Sequence, residues 1–484
     1  MLVLLKKLTL RASSTKCSVL FHHFSQAHGP TICIIGSGPA GFGISQYLLK
    51  NHDLLRIKMI EKCPIPYGLI RYGVSPDHQD VKNCIHGYER VAENPRFSFY
   101  GNVDVGSDIT LSELHQVSDA VVLCTGAQKL LQLGIPGEDL PNVFSAKEFV
   151  GWYNGVPQYN QLKPDLSGSN AAIIGVGNVA LDCARMLLKP HEELKDTDIT
   201  AESYKALETS NIKNVILIGR RGPLQMTCTR KELSEITDLA NVTTIVDQKC
   251  FTDAVKTALK IKNLKLRKTQ RLVKHLMTSM NNSDSKADSE TNQKFVVKLL
   301  RSPEQIIEKN GAVCGVTLKK NFMTGEDAFK PDISYTNETE NIDCSLVISA
   351  IGYGNETIEE TIPFIEGKIM NNGGRVDHAP PLYACGWCKN GAKGVLADTL
   401  NDCLITGKTL LTDLKAWEQK YDKNKGKLDE FLVQKQIKSY SWDDWRIIDK
   451  YETDQGIKLG KVREKVVHGK QMSEIINAKS NDVL

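Results

Sequence analysis

The sequence lacks features that would have indicated a membrane protein or a metalloprotein. No window approaches the 18 or more consecutive apolar residues of a transmembrane helix. The 13 cysteines are scattered, without the repeated Cys-x-x-Cys or Cys/His spacing of an iron–sulfur cluster or a zinc site. Many stand inside apolar runs and are predicted to be small buried hydrophobes, among them Cys33, Cys124 and Cys183. We therefore predict no metal site and no transmembrane segment.

Acidic residues are absent from the chain before Asp53. The first 28 residues combine basic, hydroxyl and apolar side chains, the composition of a mitochondrial transit peptide. A disordered basic tail is the alternative. The basic residues of this segment are Lys6, Lys7, Arg11 and Lys16. Without these four, Lys plus Arg falls from 61 to 57 and equals the 57 acidic residues, so any basic patch in the mature chain must be local.

A glycine-rich turn, Gly-Ser-Gly-Pro-Ala-Gly at residues 36–41, directly follows a short apolar run. In this context the glycines allow a tight turn and close approach of a pyrophosphate to a helix N-terminus. The next predicted strand ends in Glu61, where a carboxylate accepts hydrogen bonds from ribose hydroxyls and repels a 2'-phosphate. The first turn therefore predicts a dinucleotide site, with FAD favoured.

A second turn, Gly-Val-Gly-Asn-Val-Ala at residues 175–180, also follows an apolar run. Here the next predicted strand ends in Arg220 and Arg221, two guanidinium groups where a carboxylate would otherwise stand. This pair favours NADP(H) over NAD(H). A polar insertion over residues 190–212 separates the turn from that strand. For both turns the alternative is an ordinary connection between a strand and a helix.

Alternating strands and helices indicate an α/β protein with two Rossmann-like domains, the NADP domain inserted into a split FAD domain, as in glutathione-reductase-like flavoproteins. A length of 484 residues suits two or three domain-sized units. The predicted boundaries are 1–28 for the transit peptide, 29–130 and 350–484 for the FAD domain, and 131–349 for the NADP domain. A polar stretch at residues 279–293 is predicted to be a mobile loop.

Several stretches together resemble the mitochondrial NADPH:adrenodoxin (ferredoxin) reductase family. They lie at residues 61–78, 149–155, 175–185 and 219–225, with Ile-Gly-Tyr at 351–353 and Gly-Trp at 386–387. The resemblance runs from about residue 30 to the C-terminus and is broken by one polar insertion. It implies a flavoprotein of the mitochondrial matrix that passes electrons from NADPH through FAD to a [2Fe–2S] ferredoxin, in support of cytochrome P450, iron–sulfur cluster or haem pathways.

The resemblance also implies two sets of cofactor contacts. With the glycines of the first turn, the residues expected at FAD are Gly36, Gly38, Ala40, Gly41, Glu61, Leu69, Val105, Gly126, Trp387, Gly394, Val395 and Leu396. The residues expected at NADPH are Gly177, Asn178, Val179, Arg220, Arg221 and Glu232. Gly394 is expected to touch both cofactors, since a glycine lets the two rings stack.

Two titratable residues, His78 and Asp182, fall nearest the expected junction of the nicotinamide and flavin rings and are the candidate catalytic residues. Hydride transfer needs no general base, so the role predicted for them is modest. The structural alternative is that His78 fixes a turn and that Asp182 sits favourably near a helix N-terminus.

A basic stretch supplies the candidate docking surface for an acidic ferredoxin. Eight Lys or Arg residues lie between Lys256 and Lys274, and a helical wheel places Arg267 and Arg271 on one face. By resemblance, these two arginines bind the ferredoxin. The stretch has no interleaved aromatic residues, which argues against nucleic acid. A solvated basic face is the alternative, and a peripheral association with the inner membrane is left open.

The chain departs from the family pattern at Ser234, where another docking arginine is expected, and at Asn390, which stands in place of an arginine. We therefore expect that docking of the partner is weakened or uses partly different residues. Cys385 and Cys388 flank Gly-Trp and invite a redox-dithiol interpretation, which the flavin contact expected of Trp387 makes the weaker one.

Three functions stay open on the sequence alone. The first is the ferredoxin reductase. The second is another flavoprotein, of the glutamate-synthase or disulfide-reductase type, opposed by the missing cluster cysteines and the missing Cys-x4-Cys near the first glycine helix. The third is a nucleotide-binding sensor without turnover.

Overall fold

The computed structural model describes residues 29–253, 264–283, 293–325, 330–417, 425 and 427–481. The predicted transit peptide, residues 1–28, lies outside the described residues.

The strands are short and most belong to parallel sheets. In chain order they are β1 (Thr31–Ile35), β2 (Arg56–Glu61), β3 (Phe97–Gly101), β4 (Ala120–Leu123), β5 (Lys129–Leu130), β6 (Val143–Ser145), β7 (Asn170–Ile174), β8 (Asn214–Gly219), β9 (Val242–Val246), β10 (Gln293–Leu299), β11 (Arg301–Lys309), β12 (Ala312–Thr324), β13 (Asp332–Asp343), β14 (Leu346–Ser349), β15 (Tyr353–Gly354), β16 (Phe364–Ile365), β17 (Lys368–Ile369) and β18 (Leu382–Ala384).

Helices connect most of these strands. Those whose bounds lie within the described residues are α1 (Pro39–Asn51), α2 (Leu69–Tyr72), α3 (Gln79–Lys82), α4 (Ile85–Ala92), α5 (Leu111–Val117), α6 (Ala146–Asn154), α7 (Asn178–Leu188), α8 (Ala201–Glu208), α9 (Arg230–Thr237), α10 (Leu264–Ser283), α11 (Trp387–Asn390), α12 (Leu396–Trp417), α13 (Leu428–Gln434), α14 (Trp442–Leu459) and α15 (Gly469–Asn481).

The first sheet has the strand order β18-β4-β1-β2-β3, and all its neighbours pair in parallel. Its central strand β1 is buried along its whole length, as expected for a strand covered on both faces. Strand β18 follows β1 by more than 300 residues of chain. The chain therefore leaves this sheet, builds a second one and returns, which is the inserted arrangement that the sequence predicts.

The second sheet has the order β6-β14-β7-β8-β10-β9 and is also entirely parallel. In β7, Ala171 and Ile173 enter one buried cluster, whereas Ala172 and Ile174 enter another. This alternation places a hydrophobic core on each face of the sheet. Together the two sheets confirm the predicted pair of Rossmann-like folds.

A three-stranded antiparallel sheet, β11-β12-β13, lies between β10 and β14 in the chain. Two short antiparallel pairs, β15-β5 and β16-β17, complete the sheets. Residues 279–283 of the predicted loop belong to helix α10 and Gln293 begins β10, so the prediction is wrong at both ends. Residues 284–292 lie outside the described part of the chain. No helix among the described residues is both long and apolar enough to span a membrane.

Two compact units divide the described chain. The first comprises residues 29–65, 88–125 and 357–441, and the second comprises 66–87, 126–356 and 442–481. Residues 66–87 and 442–481 thus group with the second sheet. The sequence assigns both segments to the FAD domain, and those boundaries of the nucleotide-binding domains remain predictions.

Buried charge pairs explain why the C-terminal segment groups with the second unit. The guanidinium of Arg71 lies 2.5 Å from the carboxylate of Glu452 on α14, and both side chains are buried. Asp198 accepts from Lys82 at 2.7 Å and lies 3.0 Å from Lys465, also in buried surroundings. Such charges are costly to bury unless they are paired, so these segments depend on one another.

Candidate functional site

The first glycine turn is shaped by two close backbone approaches. A Cβ added to Gly36, whose φ is +104°, would lie 2.4 Å from the carbonyl oxygen of Cys124, and one on Gly41 would lie 2.0 Å from the carbonyl oxygen of Gly36. A Cβ on Gly38, in contrast, would have no atom within 4 Å. Open space therefore faces the turn where helix α1 begins. Since no side chain caps that helix, its first N–H groups fit a pyrophosphate.

Glu61 ends strand β2 and is held beside this turn by three donors. The backbone nitrogen and the hydroxyl of Ser37 donate to its Oε2 at 2.8 and 2.7 Å, and the backbone nitrogen of Cys63 donates to its Oε1 at 2.9 Å. The carboxylate is thus fixed at the strand end, where ribose hydroxyls are bound in this kind of fold. The role of Ser37 was missed in the sequence, because any residue type satisfies the second position of the glycine motif.

Other residues expected at FAD gather in the same unit. Val105 is buried, and Trp387 begins α11 after Gly386, whose backbone nitrogen donates to Asp402 at 2.7 Å. A Cβ on Gly386 would lie 2.7 Å from the Cβ of Ala40, so the Gly-Trp turn packs directly on α1.

The remaining expected FAD contacts divide between the units. Gly394 has a φ of +86°, Val395 is 48% exposed, and Leu396 begins α12, all in the first unit. Leu69 and Gly126 belong to the second unit. Leu69 is 40% exposed and begins α2, and Gly126 has a φ of +71°.

The second glycine turn has a geometry similar to that of the first. A Cβ on Gly175 would lie 2.2 Å from the carbonyl oxygen of Ala350, whereas the nearest atom to one on Gly177 is 3.4 Å away. Helix α7 begins at Asn178 without a side-chain cap, and Oδ1 of Asn178 accepts from the backbone nitrogen of Thr229 at 2.7 Å. Val179 is partly buried. The turn therefore offers the same open helix N-terminus as the first one.

Arg220 and Arg221 follow strand β8, and their charges indicate a binding site for an anion. Among the described residues neither guanidinium has a carboxylate partner, and Nε of Arg221 is buried without a hydrogen-bond acceptor. The carbonyl oxygen of Arg220 accepts from Nδ2 of Asn321 at 2.9 Å, which fixes the backbone of the pair. Arg220 is exposed and Arg221 is partly buried. An unpaired guanidinium group fits a phosphate, because two parallel N–H groups match two phosphate oxygens.

Arg185 on α7 is the centre of a charged cluster in the second unit. It is 1% exposed, and its guanidinium contacts Asp77 at 2.9 Å, Asp182 at 2.8 Å, Glu235 at 3.3 Å and Glu232 at 3.5 Å. The structure therefore brings together Asp182 and Glu232, both expected from the sequence. Asp77, Arg185 and Glu235 were missed, because the contacts of Arg185 with Asp77, Glu232 and Glu235 join positions that are far apart in the chain.

His78 joins the cluster through a contact of 2.7 Å between its Nε2 and Oε2 of Glu235. Burial raises the pKa of Asp182 to about 6, against the opposing effect of Arg185. Burial and the nearby Asp182 raise the pKa of Glu232 to about 7. For Asp77 burial acts in the same direction, but the hydrogen bonds from Arg185 hold its pKa below the ordinary value. Two carboxyl groups of the cluster therefore have pKa values raised toward neutral pH.

The donor atoms of His78, Asp182 and Glu232 also lie within 4.8 Å of one another, a spacing that suits a metal ion. The guanidinium of Arg185 already supplies positive charge to this group, since it contacts both carboxylates. The prediction of no metal site stays a prediction.

The basic helix α10 has the predicted amphipathic character. Leu272, Val273 and Leu276 are at most 4% exposed, whereas Arg271 and Lys274 are exposed. The side chain of Arg267 lies outside the described residues. At the two positions that depart from the family pattern, Ser234 donates its hydroxyl to the carbonyl oxygen of Lys231 at 2.8 Å, and Asn390 ends α11.

The cysteines within the described residues are unbridged, and Cys33, Cys124 and Cys183 are buried as predicted. Cys385 and Cys388 do not face each other through their sulfurs. Cys388 donates to the carbonyl oxygens of Leu123 at 3.1 Å and of Cys385 at 3.2 Å.

Comparison with known proteins gives a consistent result. The sequence pattern of the family described as pyridine nucleotide-disulphide oxidoreductase matches residues 30–272. The chain is 39% identical over 462 residues to the mitochondrial NADPH:adrenodoxin oxidoreductase of Homo sapiens, which covers 94% of each protein. It is 34% identical over 451 residues to the NADPH-ferredoxin reductase FprA of Mycobacterium tuberculosis, which covers 90% of this chain and 96% of that protein.

Among solved structures, one of FprA from Mycobacterium tuberculosis superimposes with a TM-score of 0.85 and 34% identity over 93% of this chain and 99% of that one. The likeness thus extends through both sheets and is not confined to one nucleotide-binding motif. The chain therefore belongs to the pyridine nucleotide-disulphide oxidoreductase family and, within it, to the group of the NADPH:adrenodoxin oxidoreductases and FprA.

Proposed function

We propose that this chain is an FAD-containing reductase that passes electrons from NADPH to a [2Fe–2S] ferredoxin. The observation that carries the proposal is the contrast between two glycine turns of similar geometry. A fixed carboxylate, Glu61, stands beside the first, and an unpaired guanidinium pair, Arg220 and Arg221, follows the strand next to the second. One site therefore disfavours a 2'-phosphate and the other attracts it.

The first turn has the features that FAD requires of its protein. The N-terminus of α1 would bind the pyrophosphate, since its N–H groups face open space at Gly38. Glu61 would bind ribose hydroxyls, and Ser37 orients it for that purpose. Trp387 follows a glycine that packs on α1 and would lie beside the flavin ring. When bound, FAD would supply a group that can take two electrons from NADPH and release them to the ferredoxin one at a time.

The second turn would hold NADPH through two kinds of contact. The N-terminus of α7 suits the pyrophosphate, and Arg220 with Arg221 suits the 2'-phosphate. The relatives support this assignment, because NADPH stands in their names and FprA has been solved in complex with NADPH.

The charged cluster around Arg185 would bind and release protons during the reaction. Burial raises the pKa of Asp182 to about 6 and that of Glu232 to about 7, so both carboxyl groups would take up and release protons close to neutral pH. Arg185 keeps Asp77 ionised and fixes the position of Asp182 through a bond of 2.8 Å. His78 is oriented by Glu235 at 2.7 Å. His78 and Asp182 are thus proposed to supply or hold a proton while electrons pass.

The partner is proposed to be an acidic ferredoxin that binds the exposed face of α10. Arg271 and Lys274 lie on that face, and Arg267 falls on it by helical spacing. Opposite charges across an interface speed encounter and fix orientation. The names of the relatives, adrenodoxin oxidoreductase and ferredoxin reductase, favour a ferredoxin over any other acidic protein.

The curated relatives from animals and a plant carry the word mitochondrial in their names, which supports a mitochondrial location for this chain. The acid-free basic segment 1–28 would serve as the transit peptide, and the matrix would be the compartment. A peripheral association with the inner membrane remains a prediction.

An electron-transfer assay distinguishes the proposed function from its alternatives. The purified protein should contain flavin, oxidise NADPH and reduce cytochrome c only when a [2Fe–2S] ferredoxin is added. A small artificial acceptor serves as the control, because it reaches the flavin without docking. Reduction of a disulfide substrate instead of the ferredoxin would indicate a disulfide reductase, and nucleotide binding without any turnover would indicate a sensor.

A further inference from the structure

Three buried thiols lie together in the first unit, at the base of the Gly-Trp turn. Cys385 follows strand β18, Cys403 lies on α12, and Cys124 follows β4; they are 0%, 1% and 5% exposed. The sulfurs of Cys385 and Cys403 are 3.6 Å apart. The neighbour suggested by the sequence, Cys388, turns its sulfur to backbone carbonyl oxygens instead. The sulfur partner of Cys385 is therefore found 18 residues further along the chain.

The distance between these two sulfurs suits bond formation. A disulfide has an S–S length of about 2.05 Å, so the sulfurs would approach by about 1.5 Å from their separation of 3.6 Å. Cys403 also donates to the carbonyl oxygen of Ala40 at 3.4 Å, which keeps its side chain turned toward Cys385 and α1.

The surroundings make the two thiols chemically unequal. Hydrogen bonds with Cys124 and Cys403 lower the pKa of the Cys385 thiol. The hydrogen bond with Cys385 and burial raise the pKa of Cys403. Since the thiolate is the nucleophilic form, Cys385 is the thiol of the pair that attacks an oxidant, and Cys403 retains its proton.

We propose that Cys385 and Cys403 are a modification site, a dithiol that hydrogen peroxide converts into an intramolecular disulfide. In the first step the sulfur of Cys385 bonds to one peroxide oxygen, the O–O bond breaks, and a sulfenic acid and one water result. In the second step the sulfur of Cys403 bonds to the sulfur of Cys385, the S–O bond breaks, and the hydroxyl leaves as water with the proton of Cys403. The dithiol loses two electrons and the peroxide gains them.

The crosslink would join two elements of the proposed flavin site, and this consequence rests on the proposed function. Gly386 follows Cys385 directly, and its backbone nitrogen donates to Asp402, the neighbour of Cys403, at 2.7 Å. Little space is free there, because a Cβ on Gly386 would lie 2.7 Å from the Cβ of Ala40. Movement of the two sulfurs toward each other therefore displaces the turn that carries Trp387, and the oxidised protein holds FAD less tightly.

Peptide mapping of the flavin-bound protein tests the disulfide directly. Trypsin cuts after Arg375, Lys389, Lys393 and Lys408, so Cys385 and Cys388 share the peptide 376–389 and Cys403 lies in 394–408. After peroxide, blocking of free thiols and digestion, these two peptides should be joined in the wild type and in Cys388→Ser. They should be separate in Cys385→Ser and Cys403→Ser, and in the wild type after dithiothreitol.

Other crosslinks would overturn the assignment. A disulfide within peptide 376–389, a bond to peptide 97–129, which carries Cys124, or the absence of any disulfide would each contradict it. The wild-type map alone decides this point, so it does not depend on the variants folding.

The link to the cofactor is tested by filtration of the same samples. Peroxide should release flavin from the wild type, dithiothreitol should restore retention on added FAD, and Cys403→Ser should keep its flavin. A disulfide that forms without flavin release would overturn the link to the cofactor site. A purified protein without any flavin would contradict the proposed function, and the peptide map would still report on the dithiol.

Discussion

Ser37 donates two hydrogen bonds to the same oxygen of Glu61, from its backbone nitrogen at 2.8 Å and from its hydroxyl at 2.7 Å. The two residues stand 24 positions apart, one in the glycine turn and one at the end of β2. These hydrogen bonds therefore hold the glycine turn and the carboxylate proposed to bind ribose in a fixed relative position.

Glu61→Ala should weaken FAD binding by tenfold or more, because a hydrogen bond to a charged group contributes about 1.5 to 3 kcal/mol. Ser37→Ala should weaken it less, since the backbone donors of Ser37 and Cys63 remain. Flavin lost on repeated filtration measures both effects. Ser45→Ala is the control, because its hydroxyl bonds a backbone carbonyl within α1. Full flavin retention in Glu61→Ala would remove this residue from the site.

Arg220→Ala combined with Arg221→Ala should raise the KM for NADPH by tenfold or more and leave the KM for NADH nearly unchanged. Each guanidinium contact with the 2'-phosphate is worth about 1.5 to 3 kcal/mol, and NADH lacks that phosphate. Lys213→Ala is the matched control, since Lys213 is exposed just before the opposite end of β8. Equal losses for both nucleotides would contradict the assignment of NADP(H).

Wild-type stability should fall relative to Asp182→Asn as the pH rises from about 4 to 6. Burial raises the pKa of Asp182 from 3.8 to about 6, so the folded state retains a proton that the unfolded state releases in this range. The difference in free energy of unfolding should grow by up to about 3 kcal/mol across the window and then level off. Denaturant midpoints measured at several pH values report it. Parallel pH profiles for the two proteins would show that Asp182 has no raised pKa.

Arg267→Glu combined with Arg271→Glu should reduce ferredoxin-dependent cytochrome c reduction strongly and spare NADPH oxidation by a small artificial acceptor. A small oxidant needs no docking surface, whereas an acidic protein is steered by opposite charge. Lys205→Glu, an exposed site on α8 of the same unit, controls for the change in net charge. The wild-type ferredoxin reaction should also slow at high salt, because the screening length is about 8 Å at physiological ionic strength. Unchanged ferredoxin activity in the double variant would assign docking to another surface.

The fold and the two glycine turns could be predicted because their signals are local. Each turn depends on a few consecutive residues, and the charge that distinguishes the two turns stands at the end of the next strand. The buried face of α10 was predicted for the same reason, since Leu272, Val273 and Leu276 follow helical spacing.

The rest depends on contacts between distant positions. Arg185 bonds Asp77 across 108 positions, and Arg71 bonds Glu452 across 381, which groups the C-terminal helices with the second unit. Cys385 meets Cys403 and not the nearer Cys388, because α11 turns the sulfur of Cys388 toward backbone carbonyl oxygens. Spacing along the chain does not reveal such partners, since only the folded backbone brings them together.

An anaerobic titration of the flavin-bound protein tests the central claim most directly. NADPH should bleach the flavin absorbance, and oxidised [2Fe–2S] ferredoxin added afterwards should restore it while the absorbance of the ferredoxin itself falls. NADH at the same concentration should bleach the flavin far more slowly. A flavin that NADPH reduces but that the ferredoxin cannot reoxidise, or a protein that binds no flavin, would contradict the account.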